Sequence, residues 1–75
     1  MERYKNLGGD SGVAAYELAA TSITVQFHDG AVYLYTDASA GRDAIQTMKE
    51  LAIAGQGLNE YINRYVRKKY ERKIR

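Results

Sequence analysis

Apolar and polar residues alternate most cleanly over residues 22–28. Ile23, Val25 and Phe27 face one way, and Thr24, Gln26 and His28 the other. A period of two marks a strand with one buried face, the habit of antiparallel sheets. Asp29-Gly30 follows, a hairpin dipeptide because glycine takes positive φ without strain. Residues 31–36, with Val32, Tyr33 and Tyr35, are rich in β-formers and make the return strand. Residues 13–18 alternate more weakly and read as a first strand, with Ala19-Ala20-Thr21 turning the chain. Residues 1–10 are polar, end in Gly8-Gly9-Asp10 and show no period. They read as a flexible N-terminal arm, and residues 11–75 as a single domain.

The period changes after residue 36. Asp37 or Ser39 can cap a helix, because either side-chain oxygen can accept from a free amide. Ala44, Ile45, Met48, Leu51 and Ala52 fall on one side of that helix, and Arg42, Asp43, Gln46, Lys49 and Glu50 on the other. Gly55 and Gly57 mark its end. A second helix runs from Gly57 to about Arg72, about 24 Å at 1.5 Å per residue. Leu58, Tyr61, Ile62, Tyr65 and Val66 form its stripe at i, i+3, i+4, i+7 and i+8. The expected fold is α+β, a three-stranded antiparallel sheet followed by two helices packed on one face, βββαα.

The hairpin loop decides where two tyrosines point. If Asp29-Gly30 is the whole loop, Phe27 pairs with Val32, and Tyr33 and Tyr35 share the open face with His28. If the loop is His28-Asp29-Gly30 with a glycine bulge, the parity reverses. Val25 then pairs with Tyr33 and Ile23 with Tyr35, and both rings join the core. The first register makes an aromatic platform able to stack on unpaired bases; the second makes amphipathic core residues. The residues alone favour the first, because it buries Val32 and Leu34.

Composition narrows the function classes. The chain has 75 residues, enough for one small core. With 45% apolar and 27% charged residues, it suits a folded globule rather than a disordered chain. Cysteine is absent and His28 is the one histidine, so disulfides, thiolate metal sites and multi-histidine sites are excluded. Apolar runs reach only five residues (Ala31 to Tyr35), far short of a membrane span, and Met1-Glu2-Arg3-Tyr4 lacks a signal-peptide core. A cytoplasmic domain without membrane contact, cofactor or metal is expected.

Charge is unevenly spread under a net +2. Residues 64–75 hold seven basic side chains against Glu71 alone, a local +6. Residues 1–63 hold four basic and eight acidic side chains, a local −4. Such asymmetry suits a polyanion partner, or self-association of opposite patches.

The stretch from Ser11 to Arg67 resembles the KTSC domain family, small domains named for the C-terminus of certain lysyl-tRNA synthetases. The matching features are Ser11, Tyr16-Glu17, Ile23-Thr24-Val25-Gln26-Phe27, Asp29-Gly30 and the Tyr-x-Tyr signature Tyr33-Leu34-Tyr35. Ala54-Gly55-Gln56-Gly57 and Tyr61-Ile62-Asn63-Arg64-Tyr65-Val66-Arg67 complete it. Two departures fall at helix starts. No proline follows Tyr-x-Tyr in Asp37-Ala38-Ser39-Ala40, and the segment between Gly57 and Tyr61 is longer than usual. The signature's middle residue is often polar in relatives, which implies that Tyr33 and Tyr35 point inward. The resemblance implies a stand-alone bacterial domain or synthetase appendage. It also implies a suggested RNA-binding role and no catalytic residues.

These features point to a non-enzymatic accessory domain that binds RNA through a basic C-terminal helix. Arg64, Arg67, Lys68, Arg72 and Lys73 would hold phosphates, since arginine offers two parallel charge-assisted bonds. Asn63, Arg67 and Tyr70 share a helix flank, so Asn63 could reach a base edge and Tyr70 could stack, with Tyr33 and Tyr35 as further stacking candidates. Against this stands a plain solvated face, in which Glu60–Arg64 and Arg67–Glu71 are i, i+4 pairs worth about 0.3–0.5 kcal/mol each. The alternative function is a protein-interaction module or homodimer. Catalysis has no signature: His28 and Asp29 are neighbours on a strand and point apart, and no small-molecule substrate site is evident.

Overall fold

The computed structural model describes residues 1–9 and 11–75; Asp10, the last residue of the expected arm, lies outside them. The fold is α+β, with a five-stranded antiparallel sheet where three strands are expected. The strands β1 (Glu2–Arg3), β2 (Val13–Ala19), β3 (Ser22–Phe27), β4 (Val32–Thr36) and β5 (Arg72–Lys73) lie side by side in chain order. Periodicity predicts the central three. The outer two are two-residue pieces, too short to show a period, and short charged edges discourage pairing with other chains.

Within the stretch expected as an arm, Glu2–Arg3 pairs with β2, and Tyr4 and Leu7 contact the rest of the fold. Tyr4 is 4% exposed, and its amide donates to the Ala14 carbonyl at 3.0 Å. The Tyr4 hydroxyl accepts from the Leu58 amide at 3.2 Å. Leu7 N–H donates to the Gly55 carbonyl at 2.7 Å. The arm docks because the edge of β2 and the free amide at a helix start both need partners. Gly55 permits the close approach: at φ 80 a Cβ there would stand 2.6 Å from Lys5 Cβ.

Hairpin parity resolves to the longer loop. Phe27 N–H donates to Ala31 O at 2.8 Å and Gly30 N–H to Phe27 O at 2.9 Å. Gly30, at φ 95, closes a three-residue loop of His28-Asp29-Gly30. Val25 pairs with Tyr33 and Ile23 with Tyr35, so the aromatic platform on the open face does not form. Tyr35 is 1% exposed. Val32, whose burial argued for the shorter loop, is also 1% exposed, on the opposite face. There the C-terminus bonds to its backbone, with Ile74 N–H donating to Val32 O at 2.7 Å.

Three helices replace two. Thr36, rather than Asp37 or Ser39, caps α1 (Asp37–Ala40), and Ser39 completes the capping box as its N3 residue. Gly41, at φ 96, separates α1 from α2 (Arg42–Ala54), whose Ile45, Met48 and Ala52 are buried. The third helix, α3 (Leu58–Tyr61), continues into a π-helical turn, Ile62–Val66, and stops there rather than near Arg72. Leu58, Ile62 and Val66 point inward at steps of four, which a wider i→i+5 turn keeps in phase. Tyr65, expected in the stripe, turns outward to 56% exposure and lies against Tyr61, ring centroids 4.9 Å apart. These helices share one core with Tyr16, Val25 and Tyr35 of the sheet. Lys69 N–H donates to Val66 O at 2.9 Å as the chain turns back, and Glu71 N–H to Leu34 O at 2.7 Å as β5 docks on β4. No helix among the described residues is long and apolar enough to cross a membrane.

Replacing Tyr4 by Phe leaves the Leu58 amide buried without its acceptor, a cost of about 1–3 kcal/mol. Urea denaturation should show that loss; an unchanged midpoint would mean that the Tyr4 hydroxyl bond to Leu58 contributes nothing.

Candidate functional site

An open cleft of about 520 Å³ lies where β4, the hairpin turn, the π-helical turn and the returning C-terminus meet. Hairpin parity supplies the floor and one wall: Tyr35 is buried at the base and Tyr33 is half-buried above it. The helix end supplies Asn63, Arg67 and Lys68. The returning chain lays Tyr70 on the β4 tyrosines, 4.8 Å from the Tyr33 ring centroid and 6.3 Å from that of Tyr35. Phe27 meets Tyr33 edge-on at 5.8 Å. Tyr70, 37% exposed, is the open ring of this cluster.

The continuous basic ridge expected along one long helix does not exist. Arg64 does not line the cleft and pairs with Glu60 at 3.8 Å. Arg72 and Lys73 belong to a strand, so they face opposite ways. Lys73 sits opposite Tyr33, its Nζ 5.7 Å from the ring centroid, while Arg72 sits opposite Leu34 on the other face. The expected Arg67–Glu71 pair is also absent, because Glu71 has left the helix and accepts from Thr36 Oγ1 at 2.8 Å. Among the described residues, neither Arg67 nor Lys68 has a carboxylate within salt-bridge distance.

Of the nine residues proposed from sequence, the cleft thus gathers Asn63, Arg67, Lys68, Tyr70, Tyr33 and Tyr35. Lys73 borders it through the Tyr33 ring, and Arg64 and Arg72 lie elsewhere. Tyr35 is too buried to stack on a ligand. Phe27, His28 and Asp29 also line the cleft. The last two are turn residues rather than strand neighbours, so the expectation that they point apart does not hold. His28 N–H donates to Gly12 O at 2.8 Å, which anchors the turn. Their signal in the sequence is the longer of the two hairpin loops, which moves His28 out of the strand.

Compared with protein-family models, curated proteins and solved structures, the chain matches none.

Burial pushes the Tyr35 hydroxyl up to about 12, and Tyr33 and Tyr70 add to the shift. Tyr16 is raised by burial, with the Glu2 carboxylate adding to it. The unfolded chain loses these protons near pH 10 while the folded chain keeps them, so stability is full below pH 10 and falls above it. Denaturation midpoints should decline as pH rises from about 10 towards 12, and Tyr35→Phe should flatten much of that decline. An identical decline in the variant would place the effect elsewhere.

Proposed function

We propose that this chain is an RNA-interacting accessory domain with no catalysis of its own. It holds an unpaired nucleotide in the cleft and the adjoining phosphate on Arg67 and Lys68. The observation that carries this is the meeting of an open aromatic ring with two cations unpaired among the described residues, in one recess. A base resting on Tyr70 gains about 1–3 kcal/mol from stacking, and any base can do so. The recess is of the size that takes small ligands, about 300–1,000 Å³. The likeness to KTSC domains, part of the same proposal, points the same way. The basic helix drops out of the account, and binding of this kind is weak, tolerant of sequence and sensitive to salt.

Fluorescence anisotropy with a labelled single-stranded RNA of mixed sequence tests the proposal. Replacing Arg67 and Lys68 together by Ala should weaken binding about tenfold and lower the log–log salt slope by about 1.4, about 0.7 for each lost phosphate contact. Arg64→Ala should change affinity less than about twofold, as for a surface charge already paired. Absence of saturable binding at low salt, or an equal loss with Arg64→Ala, would contradict it.

Self-association is a second reading with its own observation. Met1, Leu18 and Ile53 are exposed apolar side chains around a separate recess of about 620 Å³. Sedimentation without nucleic acid would favour it if a dimer formed and Ile53→Asp abolished it.

A further inference from the structure

Asp29 borders two cavities. One is the aromatic cleft; the other, of about 450 Å³, lies at the hairpin turn and is lined by Asp29, Gly30, Ala31, Lys73 and Arg75. Both include Asp29 and Ala31, so they adjoin at the turn. Each carries two cations, Arg67 and Lys68 in the first and Lys73 and Arg75 in the second. The carboxylate at the junction is exposed, and among the described residues no cation pairs with it. Its Oδ1 accepts from Ala31 N–H at 2.9 Å, which fixes the group in the turn.

A carboxylate among four cations weakens a surface that holds phosphates alone, because it repels them. It fits a ligand in which phosphates alternate with hydroxyl donors. Ionised carboxylates only accept hydrogen bonds, and the ribose 2′-hydroxyl is a donor that DNA lacks. We propose that cleft and recess form one track for a ribonucleotide step. Phosphates lie at the two cation pairs, and Asp29 accepts from the 2′-hydroxyl of the ribose between them. This rests on the RNA reading of the cleft and makes Asp29 the residue that selects RNA over DNA.

The test compares end-labelled octamers of uridylate and deoxyuridylate on the whole chain. Wild type should bind the ribose strand about tenfold more tightly, the size of one charge-assisted hydrogen bond. Asp29→Ser keeps an oxygen for the Ala31 amide but removes the charge and the second oxygen. It should bring the two strands within about twofold by weakening only the ribose strand. Lys73→Gln with Arg75→Gln should lower the salt slope by about 1.4 and leave the ribose preference in place. Equal tightening of both strands in Asp29→Ser would show that Asp29 merely repels phosphate and would overturn the inference. So would equal binding of the two strands by wild type, or a salt slope untouched by loss of Lys73 and Arg75. If wild type binds neither octamer, the cleft reading itself falls, and the inference with it.

Discussion

The parity of one glycine turn governs the face on which this protein presents its tyrosines. Side chains alternate along a strand, so one added loop residue inverts every position that follows. Gly30, at φ 95, lets His28-Asp29-Gly30 close as a three-residue loop, and β4 enters with Tyr33 and Tyr35 towards the helices. Tyr35 becomes the cleft floor and Tyr33 its wall. With the shorter loop, Val32 and Leu34 would occupy those places and offer no aromatic wall.

That parity also gives the C-terminus somewhere to land. Beyond Val66 the chain leaves the helix, turns at Lys69 and pairs with β4, which satisfies backbone groups that β4 would otherwise expose. Tyr70 meets Tyr33 and Tyr35 on the way, and aromatic pairs add about 0.5–1.5 kcal/mol each beyond the area they bury. The same turn disperses the basic residues. Arg67 and Lys68 stay at the cleft, Lys73 reaches the Tyr33 ring, and Arg72 goes to the opposite face. A net local charge says nothing of direction, and here the backbone divides one basic stretch into two separate pairs and several outliers.

The sequence was most legible where a period ran for several turns or alternations. The central strands fall within a residue of their expected bounds, and α2 ends at Gly55 as expected, although the single helix expected from Asp37 or Ser39 is broken at Gly41 into α1 and α2. The edge strands were not legible, because Glu2–Arg3 and Arg72–Lys73 hold two residues each and their pairing is a tertiary event. The stripe from Leu58 to Val66 fits both an α-helix and a π-turn at steps of four; only Tyr65, turned outward, separates them. Asn63, Arg67 and Tyr70, a flank of the expected helix, do line one cleft, but for another reason: Tyr70 arrives from the returning chain ahead of β5. His28 and Asp29 were missed because a strand reading of residues 22–28 hides a loop that begins at His28.

An aromatic recess flanked by cations unpaired among the described residues offers stacking and charge together, and neither alone distinguishes a binding site from an ordinary surface. Exposure by itself would favour Tyr65, which is more open than Tyr70 but stands away from the cleft and packs on Tyr61. The most direct measurement is therefore two-dimensional NMR of the tyrosine ring protons while single-stranded RNA is added. The account predicts that Tyr33 and Tyr70 shift together along one saturating curve while Tyr65 and Tyr16 stay in place. Movement of Tyr65 with Tyr33 and Tyr70 unmoved would contradict it.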